Sequence, residues 1–163
     1  MNFDEIYVRL FKPILAYVRG RMNRPDAAEE VCARIWQKAW SKREQFDPQK
    51  GVVDQWIFGI ARNEVNKYFG FWQWKRFFSL EEEQSYTVQE PTPLEQLQEQ
   101  EKNQVLLRAL QILNARERDL ISLKFFADFN NRQIAYMTGM SESNVGTTLS
   151  RAIHKLRAYM EGL

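Results

Sequence analysis

The sequence predicts an all-α protein in which a flexible acidic linker joins two small helical domains, the second containing a helix-turn-helix. Apolar residues recur every three to four positions in residues 1–79 and again in residues 105–163, as in amphipathic helices. Residues 80–104 combine glutamate, glutamine, serine and two prolines, a composition too polar to form a core. The chain has 163 residues, of which 44% are hydrophobic, so two small cores are feasible.

The first domain opens with two predicted helices. Apolar residues between positions 3 and 18 form a broad stripe at helical spacing, which Pro13 is expected to kink or interrupt. A break at residues 24–26 follows, and Asp26 is expected to cap a second helix over residues 27–41. The apolar positions of this second helix favour burial of Val31, Ile35, Ala39 and either Trp36 or Trp40.

A loop over residues 47–51 precedes a third predicted helix over residues 55–69, and an aromatic cluster follows it. The cluster comprises Phe69, Phe71, Trp72, Trp74, Phe77 and Phe78. Such a group suits stacking on unpaired bases or wedging into a melting duplex. Packing against the first helix, or contact with an inhibitory protein, is the alternative.

The second domain ends in a predicted helix-turn-helix. Gly139 is expected to end its first helix in a left-handed C-cap, and Ser141 to cap the second. Ala135 allows a close crossing and Val145 locks the two helices together. The inner face of the second helix is predicted to hold Val145, Leu149, Ile153, Leu156 and Met160.

The outer face of that second helix is polar and then basic, as in proteins that read the major groove. Its candidate DNA-binding residues are Ser143, Asn144, Thr147, Thr148, Ser150, Arg151, His154 and Lys155. The alternative is an ordinary helical hairpin whose polar face is simply hydrated.

Charge is unevenly distributed along the chain. Residues 1–79 carry 14 Lys and Arg against 9 Asp and Glu, residues 80–104 carry 1 against 7, and residues 105–163 carry 8 against 5. Two basic lobes on an acidic tether suggest a polyanion that is held at two places. The acidic run also serves to keep a linker hydrated.

Other classes of protein are disfavoured by what the sequence contains. Cys32 is the only cysteine, which excludes an internal disulfide, indicates a reducing compartment and fits a buried small hydrophobe. Residues 1–21 scatter charges among apolar residues, unlike a signal peptide or a membrane span, so we expect a cytoplasmic protein without membrane insertion. We find no nucleophile with a paired base, no glycine-rich phosphate loop and no metal-spaced carboxylates, and expect neither an enzyme nor a cofactor or metal.

Two blocks of sequence resemble one protein family. Residues 28–40 read AEEVCARIWQKAW and residues 56–69 read WIFGIARNEVNKYF, similar to the second conserved region of bacterial sigma factors of the extracytoplasmic-function group. Residues 107–160, which contain LRALQILNARERDLISLKFF and SRAIHKLR, are similar to the fourth region of that group. The two blocks occur in the family's order.

The resemblance implies a function and partners. Residues 1–79 would correspond to region 2, residues 80–104 to the linker and residues 105–163 to region 4. Such a protein binds the RNA polymerase core at the β′ clamp helices and the β flap. It captures the melted single strand of the promoter −10 element, reads the duplex −35 element, and is held silent by an anti-sigma factor.

The resemblance also implies roles for individual residues. Polymerase binding would fall to Asp26, Glu29, Glu30, Val31 and Arg34. Binding of the −10 strand, including a base flipped into the loop of residues 47–53, would fall to Asp47, Lys50, Val53, Arg62, Asn63, Asn66 and Lys67. In the helix from about Ser143, Arg151 and Lys155 would contact phosphates of the −35 duplex.

The chain departs from the family pattern at several positions. Ala33 and Arg34 stand where Gln-Glu is usual, and residues 146–148 read Gly-Thr-Thr where Lys, Ser and Arg are common. Fewer cations on the recognition helix predict an unusual or weakly bound −35 sequence. Two other functions therefore stay open, namely a stand-alone helix-turn-helix regulator and a polymerase-binding module without initiation activity.

Overall fold

The computed structural model describes residues 1–22, 24–78 and 104–162, with the backbone alone for residues 71–78. Throughout these ranges the regular structure is helical, which confirms the all-α prediction. The first half contains α1 (Phe3–Arg21), α2 (Pro25–Ser41), a 3₁₀ turn (Arg43–Gln45) and α3 (Val53–Phe78). The second half contains α4 (104–111), α5 (Ala115–Ile121), a π-helical turn (Ser122–Phe126), α6 (Asn131–Thr138) and α7 (Glu142–Glu161).

Helix α1 continues through Pro13, so of the predicted kink or interruption the interruption was wrong. The side chain of Asn2 caps it by accepting a hydrogen bond from the Glu5 amide, at 3.4 Å. Proline lacks the amide that would bond the carbonyl of Arg9, but Arg9 lies on the exposed side, where water can hydrate that carbonyl. The helix therefore continues through the proline.

Helix α2 begins two residues earlier than predicted, because Pro25 occupies its first turn. The N-cap is Arg24, without a side-chain cap bond, so the prediction that Asp26 caps this helix was wrong. The carboxylate of Asp26 lies in the first turn, 3.6 Å from the Arg24 guanidinium. Of the two tryptophans left open, Trp36 is buried and Trp40 is 50% exposed.

Helix α3 runs nine residues further than predicted, through the aromatic cluster to Phe78. No proline interrupts these residues, and Gly70 is tolerated inside a long helix. Within the cluster, Phe69 is half-buried and lies 5.8 Å from the Arg21 guanidinium, ring centre to Cζ. The side chains of its other members, from residue 71 onward, lie outside the described part of the structure. For these residues, contact with DNA and packing or contact with an inhibitory protein both stay predictions.

Two ion pairs and a buried cysteine connect or fill the helices of the first half. The Arg9 guanidinium donates two hydrogen bonds to the Asp54 carboxylate, at 2.8 and 2.7 Å, joining α1 to α3. Lys38 of α2 pairs with Glu64 of α3, whose side chain is buried. Cys32 is buried as predicted, and burial raises the pKa of its thiol to about 11.

The two halves pack against each other and share one continuous cluster of buried apolar residues. Phe58 of α3 meets Phe129, which lies just before α6, edge to face with 5.2 Å between ring centres. Gly20 of α1 lies directly against the π-helical turn. The predicted linker falls outside the described residues, except for Gln104 at the start of α4.

Candidate nucleic-acid interface

The helix-turn-helix forms as the sequence predicts. Asn130 and Gln133 cap α6 reciprocally, each side chain accepting from the other's backbone amide. Gly139 ends α6 with φ of +74°, and its amide donates to the Ala135 carbonyl. Ser141 Oγ then accepts from the Asn144 amide at 3.1 Å and starts α7. These local bonds fix how α7 leaves the turn.

The inner face of α7 is shorter than predicted. Val145 and Leu149 are buried, whereas Met160 is 47% exposed, so its assignment to the core was wrong. Helix α7 extends to Glu161, and its final turns are exposed or half-buried. Ala152 is fully buried and was missed, although it continues the helical period from Val145.

The outer face of α7 presents the predicted polar residues to solvent. The exposed members are Ser143, Asn144, Thr147, Ser150, Arg151, His154 and Lys155, while Thr148 is half-buried. Lys155 also donates to the Glu117 carboxylate at 2.9 Å. Burial alone would raise the pKa of Glu117, but the hydrogen bonds from Lys155 and the Asn114 amide, together with the Lys155 charge, outweigh burial and lower the pKa.

A cavity of about 460 Å³ lies between α7 and the π-helical turn. Lys124, His154 and Arg157 contribute cations or potential cations to its lining. Lys124 is held by a 2.9 Å hydrogen bond to Asn131. Neither Lys124 nor Arg157 was among the candidate DNA-binding residues predicted from the sequence. Lys124 reaches the cavity from the π-helical turn, which a pattern along α7 alone does not include.

In the first half, the predicted strand-binding residues occupy α3 and the loop before it. Asn63, Asn66 and Lys67 are exposed along α3, and Lys50 is exposed in the loop. Asp47 shapes that loop, since its side chain accepts from the Gln49 amide at 2.9 Å. The remaining loop position, Val53, is the first residue of α3 and is half-buried.

The predicted polymerase-binding residues lie on α2. Asp26, Glu29, Glu30 and Arg34 are exposed, and Glu30 pairs with Arg34 one turn along the helix. Val31 is only 1% exposed and belongs to the core. It therefore packs beneath this surface, and its assignment to polymerase binding stays a prediction.

Arg62 lies between the two halves rather than on an open surface. Its Nε and Nη2 donate to Oδ2 of Asp119, at 3.1 and 2.9 Å, and its Nη1 donates to the Met137 carbonyl at 2.8 Å. Burial alone would lower the pKa of Arg62, but the hydrogen bonds to Asp119 and the Asp119 charge, with a further contribution from Tyr17, together outweigh burial and raise the pKa.

Two residues of α1 complete this cluster. Tyr17 donates from its hydroxyl to Oδ1 of Asp119 at 2.6 Å. Arg21 donates to the Tyr17 hydroxyl and to Oδ1 of Asn66, both at 3.0 Å. Burial and the Asp119 charge raise the pKa of Tyr17, which therefore keeps its proton. The sequence gives no signal for this cluster, because its members lie up to 102 positions apart.

No group of histidine, cysteine and acidic side chains in the described part of the chain is arranged to hold a metal ion. Over residues 1–22, 24–78 and 104–162, no helix has the length and hydropathy to cross a membrane.

Comparison with known families gives two matches in order. Residues 6–71 match the family described as Sigma-70 region 2, and residues 103–156 match Sigma-70, region 4. Together these ranges take in both halves of the fold.

Individual relatives agree with the family matches. The chain is 29% identical over 173 aligned positions to the ECF RNA polymerase sigma factor RpoE of Cereibacter sphaeroides, covering 96% of this chain and 87% of the relative. It is 21% identical to the ECF sigma factor SigM of Bacillus subtilis, covering 97% and 94%.

Solved structures share the fold. The sigma factor RpoE of Bartonella quintana, in complex with the anti-sigma factor NepR, matches with a TM-score of 0.76 at 21% identity, over 98% of this chain and 97% of that one. CnrH in complex with the cytosolic domain of CnrY matches with a TM-score of 0.71 at 18% identity, over 98% and 88%.

Proposed function

The chain belongs to the extracytoplasmic-function group of bacterial RNA polymerase sigma factors, and we propose how its surfaces divide the work of initiation. Residues 1–79 bind the β′ clamp helices and the −10 element, and residues 105–163 bind the β flap and the −35 element. Residues 80–104 link the two. The protein works in the cytoplasm, where polymerase and chromosome are, and contributes binding rather than catalysis.

The observation that carries the −35 assignment is the outer face of α7. Its exposed polar residues near the N-terminus, Ser143, Asn144 and Thr147, suit hydrogen bonding to base edges. The cations one to three turns later, Arg151 and Lys155, suit the phosphate backbone. Because Lys155 is already paired with Glu117, we assign the principal phosphate contact to Arg151.

The −10 strand is assigned to the loop before α3 and to the exposed face of α3. Lys50 and Lys67 supply charge for the backbone, and Asn63 supplies an amide for a base extruded from the stack. Asp47 holds the loop in shape through its bond to the Gln49 amide. The exposed amide of Asn66 extends the same face.

The polymerase clamp is assigned to the exposed face of α2. Asp26, Glu29 and Glu30 make this surface acidic, with Arg34 as its basic member. Exposed charges of this kind steer association and set specificity more than they add affinity. We also propose an anti-sigma factor as regulator, since the similar structures of RpoE and CnrH hold NepR and the cytosolic domain of CnrY.

Run-off transcription tests the function directly. Purified core polymerase would be incubated with genomic DNA fragments, with and without this protein, and the new transcripts mapped. We expect protein-dependent transcripts that share upstream elements. Polymerase binding without transcripts would favour the binding module, and duplex binding without polymerase would favour the stand-alone regulator.

The role of Asn63 has its own test. We expect Asn63→Ala to reduce promoter opening about tenfold or more, because the amide that holds the extruded base is lost, and to leave polymerase affinity unchanged. Opening is read by permanganate footprinting, and affinity by fluorescence anisotropy with labelled core. Gln45→Ala is the control, an exposed amide outside the assigned surfaces. Equal losses of opening and affinity would remove the role assigned to Asn63.

A further inference from the structure

A small cleft opens between the two halves of the protein. It has a volume of about 160 Å³, and its lining includes the guanidinium-bearing residues Arg21, Arg62 and Arg116 together with Asp119. Three cations therefore line this cleft against one carboxylate. A site of this composition favours an anion that carries more charge than one carboxylate.

The donors around Asp119 come from the first half of the chain, whereas Asp119 itself belongs to the second. Arg62 donates twice to Oδ2, and Tyr17 donates to Oδ1 at 2.6 Å. The Arg21 guanidinium lies 3.6 Å from Oδ1. Two guanidiniums and a phenol thus converge on one oxyanion, and this donor set fits a phosphate as well as a carboxylate.

The cluster is continuous with the surface assigned to the −10 strand. Arg21 donates to Oδ1 of Asn66, and this bond orients the amide of an exposed residue whose nitrogen can donate to a ligand. Asn63 and Lys67 flank Arg62 and Asn66 along the same helix. A strand lying on that face therefore passes close to the guanidiniums that Asp119 holds.

We propose that Tyr17, Arg21 and Arg62 form a binding site for one backbone phosphate of single-stranded DNA, which Asp119 occupies while the two halves are packed together. This inference rests on the proposed function, since it extends the −10 surface. Strand binding and interdomain packing then compete for the same donors. Separation of the halves removes the carboxylate and leaves the donors for DNA.

Binding of a single strand to the full-length protein tests the proposal. The probe is a fluorescein-labelled 15-nucleotide DNA of mixed sequence, measured by anisotropy over a range of salt concentrations. We expect Asp119→Ala to bind it about tenfold more tightly than the unsubstituted protein, because one competing oxyanion is removed. The slope of log affinity against log salt should steepen by about 0.7, the value for one added phosphate contact on a single strand.

Matched variants separate the site from a general change in charge. Asp4→Ala removes an exposed carboxylate at the start of α1 and should not change the affinity beyond twofold. Adding Arg21→Gln to Asp119→Ala should abolish the gain in affinity for the probe. A probe with neutral methylphosphonate linkages should likewise show no gain in affinity with Asp119→Ala. Asp119→Asn keeps the shape of the side chain and serves if the alanine variant loses helicity.

Three results would overturn the proposal. The first is unchanged affinity in Asp119→Ala and Asp119→Asn while both stay folded, since Asp119 would then be structural alone. The second is a gain that survives Arg21→Gln. The third is displacement of the probe by ATP at equal phosphate concentration, which would assign the site to a nucleotide. If run-off transcription succeeds while any of these occurs, the proposed function stands and this inference alone fails.

Discussion

A single missing side chain lets the two halves approach. A Cβ atom on Gly20 would lie 2.6 Å from Ser122 Oγ and 2.8 Å from the nearest carbon of the Phe126 ring. Both distances are shorter than real Cβ contacts, so a larger residue at this position must displace these two side chains or move α1 away from the π-helical turn. Gly20 thus serves close packing between the halves rather than an unusual backbone angle.

We expect Gly20→Ala to lower the free energy of unfolding by about 1 to 3 kcal/mol, the usual cost of overpacking. Gly59→Ala is the matched control, since it also lies inside a helix but has no atom within 4 Å of its Cβ position. That control should be stabilising by up to about 1 kcal/mol. Urea denaturation followed by circular dichroism measures both, and equal effects would remove the packing role of Gly20.

Glu64 predicts a pH dependence. Its carboxylate is 5% exposed and lies between Lys38 and Lys67. Burial alone would raise its pKa, but the hydrogen bonds and charges of Lys38 and Lys67 together outweigh burial and lower the pKa below the ordinary 4.5. A carboxyl with a lowered folded-state pKa stabilises the protein above its unfolded-state pKa. That stabilisation disappears as the pH falls through the folded-state pKa.

We therefore expect Glu64→Gln to lower the free energy of unfolding by about 1 to 2 kcal/mol at pH 7. As the pH falls below about 4.5, the free energy of unfolding of the variant should decrease less than that of the unsubstituted protein. Urea midpoints between pH 7 and pH 3 measure both effects. Glu44→Gln provides the comparison, because Glu44 is exposed. If the urea midpoints of Glu64→Gln and the unsubstituted protein decrease equally as the pH falls, a stabilising role for this carboxylate is excluded.

At the scale of elements, the sequence predicts correctly those helix ends that are determined by hydrogen bonds between residues close together in the chain. The turn from Gly139 to Ser141 is recovered because one glycine and one serine supply its caps within a few residues. The end of α3 was missed, because aromatic side chains indicate burial or contact rather than a helix end. The position of Arg62 was also missed, since its partner Asp119 lies 57 positions away and only the fold brings them together.

Two glycines of the helix-turn-helix should respond oppositely to alanine. Gly146 lies inside α7, and a Cβ there would meet only Asn131 Nδ2 at 3.7 Å, an ordinary contact. Gly146→Ala should therefore raise the melting temperature by about 2 to 4 °C. Gly139 has φ of +74° and open space around it, so Gly139→Ala should cost about 1 to 2 kcal/mol through backbone strain alone. Differential scanning calorimetry measures both, and a destabilising Gly146→Ala would mean that α7 needs the glycine for another reason.

At the scale of the whole molecule, both polar and apolar contacts join the two halves. The Asp119 cluster involves charges, whereas the contact between Phe58 and Phe129 is entirely apolar. Interfaces between domains of one chain commonly open and close, unless they are large and hydrophobic. Removing the apolar contact alone should therefore show whether the closed arrangement depends on it, without altering any charge that binds DNA.

We expect Phe129→Ala to destabilise the packed arrangement by about 3 to 5 kcal/mol, because a buried ring is replaced by a methyl group. The radius of gyration of the variant by small-angle X-ray scattering should exceed that of the unsubstituted protein, and the variant should unfold in two transitions as the halves uncouple. Phe125→Ala is the control, because that ring belongs to the π-helical turn but is 59% exposed. If Phe129→Ala keeps its helicity, the compact radius and one transition, the Asp119 cluster alone is sufficient to hold the halves together. Strand binding would then have to displace the charge cluster rather than the aromatic pair.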